Sequence, residues 1–258
     1  MSYTVIFCEG ITDRVFLGQF LKTSDLRFYE ISGYDELPCE RLFGRNQKYS
    51  KKADYYSDAD HNYVAVCEVG GCNFLEDVRF IISRELLGHV VTKILIVTDH
   101  DDDTECNQRL DDIVTGISLI HDVKAKVDQS NETHIAFTVN SQLGVAVIGL
   151  LFVEIPLDSR GSLETLILDC MCKPAVVNPP YPDTEYIKQK SRKFVQNLDK
   201  NKCLKSRREQ IKAPLGVAVA LLNPERGLYT MKQLIASVDF EKLEDHKELS
   251  LIAEFIRS

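Results

Sequence analysis

The chain has 258 residues, 44% of them hydrophobic and 27% charged, which excludes a disordered or low-complexity protein and suits one large α/β domain or one domain with a helical appendage. Its net charge of -8 and pI near 5.3 exclude a generally basic nucleic-acid binder, so any polynucleotide has to be met by a local patch. The longest apolar run, residues 145–155, is broken by Glu154 and too short for a bilayer, and the N-terminus lacks a basic region followed by an apolar core. A cytoplasmic protein without a membrane partner is expected. The eight cysteines form no paired C-x-x-C knuckles, so reduced thiols are expected in place of a zinc site.

In chain order, Val5, Ile6 and Phe7 make an apolar run of strand length, and Val15, Phe16, Gln19 and Phe20 open a helical repeat. The turn between them, Glu9-Gly10-Ile11-Thr12-Asp13, puts Glu9 at the carboxyl end of a strand, the edge where open α/β sheets bind ligands. Gly10 is expected to let the backbone turn sharply and approach a ligand. On local grounds Glu9 and Asp13 serve equally as carboxylates favoured at a helix start. Residues 28–31 read as a short strand. Residues 33–62 read as a polar insertion in which Lys48, Lys51 and Lys52 accompany Tyr49, Tyr55 and Tyr56, as in a solvated loop or a surface that stacks bases and meets phosphates.

A strand over 64–69, a Gly70-Gly71 turn and a helix marked by Phe74, Val78, Ile81, Ile82 and Leu86 lead to a strand over 93–99, completing a βαβ unit. That strand runs straight into carboxylates, KILIVTDHDDD. Asp99 and Asp101, one residue apart, can converge on a divalent cation, which offsets their mutual repulsion. Leu110, Ile113, Val114, Ile117 and Ile120 give a further helix, and 135–139 and 145–155 give two more strands. The alternation predicts a mainly parallel sheet flanked by helices. At Pro156 the last strand breaks. A helix follows from about Ser162, a natural N-cap, with Glu164 suited to its first turn and Asp158 nearby.

Beyond residue 172 the composition shifts to Pro174, Pro179, Pro180 and Pro182 and then to helical patterning. The expected division is a core over 1–172 and a helical C-terminal extension over 173–258. Residues 188–212 carry ten basic residues against two acidic ones, the local positive balance that the whole chain lacks. They read either as a solvated helix face or as a clamp on a phosphate backbone, with Lys205, Arg207 and Arg208 nearest the carboxylates. Leu243, Leu249, Ile252, Phe255 and Ile256 mark a terminal helix packed on the core.

The E-G-x-x-D motif after one strand and the D-x-D motif after a later one, about one βαβαβ unit apart, resemble the Toprim domain. That domain is shared by topoisomerases, bacterial primases, small RNA maturases and OLD-type nucleases, and the form here is most similar to the OLD-type and small stand-alone members. The resemblance implies a Toprim-like, Rossmann-like sheet and one or two Mg²⁺ or Mn²⁺ ions. Glu9 would be a metal ligand or general base, Asp99 and Asp101 would hold one cation, and Asp13 and Glu164 would complete a second site. Gly161-Ser162-Leu163-Glu164 matches a G-[ST]-x-E-like junction in those proteins, and Asp103, Asp158 and Ser162 are additional candidates. It further implies a catalytic lysine after the core, Lys205 with Lys212 as the alternate, and nucleic-acid contacts from Arg207, Arg208 and Lys212. The expected activity is phosphodiester hydrolysis of DNA or RNA, with a homodimer and a protein partner such as an ATPase compatible with it. No tyrosine is placed as a covalent nucleophile, and neither a zinc ribbon nor a separate priming module is found, which favours a nuclease over a topoisomerase or primase.

Two other classes stay open. One is a catalytically silent module that binds a nucleotide or a protein. The other is a Mg²⁺-dependent phosphatase of the haloacid-dehalogenase type, whose D-x-D-x-[TV] signature is not met because position 103 is Asp. The phosphate loop G-x-x-x-x-G-K-[ST], the G-x-S-x-G elbow, the H-E-x-x-H pair and the Gly-rich dinucleotide fingerprint are absent.

Overall fold

The first apolar run is buried at all six of its positions because it lies in the middle of a sheet, covered on both faces. The computed structural model describes residues 2–31, 53–70, 74–88, 91–100, 105–120, 123–127, 134–141, 144–159, 161–171, 184–200, 203–204, 206–222, 233, 235 and 246–258. These form β1 (Tyr3–Cys8), α1 (Ile11–Thr23), β2 (Tyr29–Glu30), β3 (Ala53–Ser57), β4 (Tyr63–Glu68), α2 (Phe74–Gly88), β5 (Lys93–Asp99), α3 (Glu105–Ser118), β6 (Val123–Val127), β7 (His134–Ser141), β8 (Gly144–Ile155), α4 (Leu163–Met171), α5 (Thr184–Lys200), α6 (Arg207–Leu222) and α7 (Lys247–Arg257). None of the described helices is long and apolar enough to cross a membrane.

The strands make one sheet in the order β2-β3-β4-β1-β5-β8-β7-β6. Its centre, β4-β1-β5-β8, is parallel, as the alternation of strands and helices predicts. Antiparallel strands extend both edges, β3 and β2 on one side and β7 and β6 on the other, so the sheet is mixed. From β1 the chain crosses to β4 on one side and then to β5 and β8 on the other. The topological switch point therefore falls between β1 and β5, whose carboxyl ends carry Glu9 and Asp99.

Side-chain alternation divides the core into two layers. Ile6, Val66, Leu95, Val97, Leu151 and Val153 face a layer built from Phe16, Leu17, Phe20 and Leu21 of α1, Leu163 and Leu166 of α4, Leu215 and Ala218 of α6, and Leu249 and Ile252 of α7. Val5, Phe7, Ala65, Ile94, Ile96 and Phe152 face the other, with Phe74, Val78, Ile81 and Ile82 of α2 and Ile113 and Ile117 of α3. The helices beyond residue 173 thus share an apolar cluster with α1. The proline segment and Leu243 lie outside the described residues.

The polar insertion expected over 33–62 is corrected at its C-terminal end, where residues 53–57 are β3. Tyr55 is 9% exposed and Tyr56 only 3%, on opposite faces of the strand, so neither is a base-stacking surface. A strand covered on both faces shows no polar alternation, and tyrosine carries enough apolar ring to be buried. Lys48, Tyr49, Lys51 and Lys52 lie outside the described residues. Edge strand β6 is not among the expected strands, although the sequence Val123-Lys124-Ala125-Lys126-Val127 alternates with period two.

Tyr56 also sets how closely α1 approaches the sheet. A Cβ on Gly18 of α1 would run into the Tyr56 hydroxyl and lie 2.9 Å from its Cζ. Gly18→Ala should therefore destabilise the protein by about 1–3 kcal/mol in chemical denaturation. The loss should be smaller in a Tyr56→Leu background than in the wild type, and equal losses in the two would show that the ring is not the obstruction.

Candidate functional site

The site is built at the carboxyl ends of β1 and β5, and β5 supplies it from both faces. Thr98 and Asp99 are consecutive, so their side chains leave the strand in opposite directions. Thr98 continues the row of Ile94 and Ile96 toward α3, whereas Asp99 continues that of Leu95 and Val97 toward α1, α4 and α6. The fold thus sorts the carboxylates of the strand ends and helix starts into two connected halves.

On the first half, Glu9 Oε1 accepts hydrogen bonds from the Thr98 hydroxyl at 2.6 Å and from the Asp99 backbone N–H at 3.2 Å. Thr98 Oγ1 in turn accepts one from Arg109 Nη1 of α3 at 3.1 Å. Neither Thr98 nor Arg109 carries a motif. Arg109 sits ten residues beyond Asp99 on a helix with ordinary patterning, and only the packing of α3 brings it to the strand end.

On the second half, Asp99 is 3% exposed and its carboxylate meets two helices. Its Oδ1 accepts the Leu163 N–H at the start of α4, 3.0 Å away, where the helix dipole favours a carboxylate. Its Oδ2 lies 2.9 Å from Nζ of Lys212 on α6. The same ammonium reaches Glu164 on α4, at 3.1 Å from Oε2 and 3.2 Å from Oε1. Burial works against the Lys212 ammonium, but the carboxylates of Asp99 and Glu164 outweigh it and hold its pKa above the ordinary lysine value.

Asp13 belongs to this half. Its Oδ2 accepts the Gly10 N–H at 2.8 Å, closing the N-terminus of α1. Burial, then the charge of Asp99, push its carboxyl up to about 7; the Gly10 bond opposes the rise, Glu164 adds to it and Lys212 reduces it. The sharp turn expected of Gly10 is corrected. Its φ of -144° and ψ of 177° are extended backbone open to any residue, and an added Cβ would meet only Asp13 Oδ2, at an ordinary 3.8 Å. Gly161 is the glycine the site requires, because a Cβ there would lie 2.8 Å from Pro156 Cδ and 2.9 Å from Thr165 Oγ1 while its N–H donates to His100 O at 3.0 Å.

Ser162 is fully buried but does not cap α4 with its hydroxyl, which has no hydrogen-bond partner among the described residues. The Asp99 carboxylate takes the Leu163 N–H, and Thr165 Oγ1 accepts the Ser162 N–H at 3.3 Å. Asp158 is corrected as a site candidate: its side chain is 74% exposed and pairs with Lys247 of α7 at 2.7 Å. Lys205, Asp101 and Asp103 lie outside the described residues, as do the side chains of Arg207 and Arg208. The lysine found at the carboxylates is Lys212, the alternate. Part of the basic run is engaged within the fold, since Lys188 and Arg192 both pair with Asp169 of α4. Among the described residues no three His, Cys, Asp or Glu side chains are grouped as a ready metal cage, and Lys212 pairs with both Asp99 and Glu164.

The shift at Asp13 predicts a pH dependence. With its carboxyl raised from 3.8 to about 7, the folded state binds more protons than the unfolded state across that window. Stability therefore falls as pH rises from about 4 to 7, and the cost, at most about 4 kcal/mol, is complete above that. Asp13→Asn keeps an acceptor for the Gly10 N–H and removes the charge. In chelator-treated protein it should be more stable than wild type by about 2–4 kcal/mol at pH 8, with the gap closing by pH 4. Denaturant titrations at the two pH values check this, and a gap independent of pH would refute it.

No family model matches the chain, and no curated protein does. Among solved structures, the crystal structure of a hypothetical protein from Pyrococcus horikoshii OT3 is similar to it, with a TM-score of 0.55 at 13% identity over 100% of each chain, a likeness of α/β fold alone.

Proposed function

We propose that the protein is a divalent-metal-dependent phosphoryl-transfer enzyme acting on nucleic acid, with phosphodiester hydrolysis as the reaction. The observation that carries this reading is that Asp13, Asp99 and Glu164 gather with Lys212 at the carboxyl edge around the switch point, and that Glu9 is joined to them through the Asp99 amide. The donor set is all carboxylate, the chemistry that suits Mg²⁺ or Mn²⁺. The cluster also takes up positive charge as an ammonium at Asp99 and Glu164, and burial beside Asp99 raises the Asp13 carboxyl.

Asp99, Glu164 and Asp13 would hold the cation, with Glu9 from the neighbouring half and Asp101 from the D-x-D motif. When bound, the ion would neutralise phosphate oxygens and activate water. Lys212 is assigned the part expected of Lys205: released from the carboxylates, it offers a positive charge to the anion developing on the phosphate. Leu163 N–H and the start of α4 keep Asp99 oriented throughout.

The test is cleavage of a panel of single- and double-stranded DNA and RNA with Mg²⁺ or Mn²⁺. Glu9→Gln and Asp99→Asn should abolish activity, and activity surviving both would exclude the site. Lys212→Met should lower turnover by about 10²–10³-fold. Without metal it should also destabilise the fold by about 3 kcal/mol, because Asp99 and Glu164 lose their counter-ion, and Mn²⁺ should restore most of that loss. The pairing of Lys212 with both carboxylates equally favours a second reading, a silent module whose lysine replaces the cation. It gains if the wild type is inert on every substrate and shows no metal-dependent rise in melting temperature.

A further inference from the structure

We infer that Arg109 and Thr98 form a directional hydrogen-bond relay that positions Glu9 for the ligand of this site. The count of donors fixes the direction of the relay. A guanidinium only donates, so the 3.1 Å contact from Arg109 Nη1 makes Thr98 Oγ1 the acceptor. The hydroxyl has a single proton, and its other close partner is Glu9 Oε1 at 2.6 Å, so that proton points at the carboxylate. The Asp99 N–H adds a second donor to the same oxygen. Oε1 is thereby pinned from two directions, and the rotation of the carboxyl group is set so that Oε2 is the oxygen not bound by Thr98 or the Asp99 amide.

The relay also couples the two halves of the site. Asp99 offers its amide to Glu9 and its carboxylate to Lys212 and α4, so the orientation of Glu9 and the end of β5 depend on one another. Thr98 is 2% exposed, and its hydroxyl is used entirely within this chain of contacts. Arg109 and Thr98 are positioning residues, acting through Glu9. The placement of Glu9 stands on the hydrogen bonds alone; that its ligand is a divalent cation rests on the reading proposed above.

Two measurements on the full chain separate these statements. In metal-free protein, hydrogen exchange of the Asp99 amide reports whether Glu9 keeps its place. Thr98→Val, which removes the hydroxyl at constant shape, and Arg109→Met should each speed that amide about tenfold or more relative to other amides of the same strand, while Thr98→Ser should leave it protected. Titration with Mn²⁺, followed by the electron paramagnetic resonance signal of the free ion, should show binding weakened about 10–100-fold in Thr98→Val and Arg109→Met, with recovery in Thr98→Ser. An Asp99 amide unchanged in both variants, or one that speeds only in step with every other amide, overturns the relay. Selective loss of protection in a protein whose wild type takes up no Mn²⁺ sustains the relay and refutes the metal reading of the site.

Discussion

Carboxylates gathered in a buried place cannot all stay ionised unless positive charge reaches them, and the arrangement at the mouth between β1 and β5 follows from that. Asp99 and Glu164 are compensated by the Lys212 ammonium, brought in on a helix from the far end of the chain. Among the described residues Asp13 has no comparable partner, and burial beside Asp99 pushes its carboxyl to about 7. Glu9 is held by a hydroxyl and an amide, with a guanidinium behind the hydroxyl. The carboxylates are thus accommodated by three means: a shared ion pair for Asp99 and Glu164, a raised affinity for the proton at Asp13, and directed hydrogen bonds at Glu9.

The geometry that allows this is the pleat of β5. Consecutive residues leave a strand on opposite faces, so Thr98 and Asp99 address different helical layers although they adjoin in sequence. Glu9 bridges the two because β1 and β5 are neighbours in parallel register, Cys8 against Val97, which brings the residue after β1 level with Thr98. The placement is tied to the topological switch, the point in such a sheet where the connections diverge and leave a crevice.

The C-terminal helices are part of the site's framework. Leu215 and Ala218 seat α6 in the same apolar cluster as α1 and α4, which delivers Lys212 to the carboxylates. Farther along, Glu248 of α7 accepts the Leu157 N–H at 2.8 Å and ties down the turn between β8 and α4. Lys93 of β5 donates to Ile256 O at 2.8 Å, so α7 is anchored to the strand that carries Thr98 and Asp99. The basic run over 188–212 is accordingly divided: Lys188 and Arg192 brace α5 against Asp169 of α4, while Lys212 serves the carboxylates.

Local patterning determined the elements and the candidates within them. Apolar runs of strand length mark β1, β4, β5 and β8, three- and four-residue apolar steps mark α1, α2 and α3, and a carboxylate directly after a strand marks the ligand edge, since these signals depend on neighbours in sequence. Glu9 and Asp99 were legible in this way, whereas Asp13 and Glu164 read locally as helix-start carboxylates and were singled out only by the Toprim resemblance. Tertiary packing decided the rest. Tyr55 and Tyr56 look like loop residues until both faces of β3 are covered. Gly10 looks indispensable until its extended backbone is seen, whereas Gly161 is needed only because Pro156 and Thr165 close around it. Ser162 lost its expected capping role to a carboxylate from β5. The cations were least legible, because a lysine or arginine side chain reaches several ångströms from its backbone and its partner is chosen by which helix faces land together. Lys212 lies 113 residues beyond Asp99, and Arg109 stands on the opposite layer with no motif to mark it.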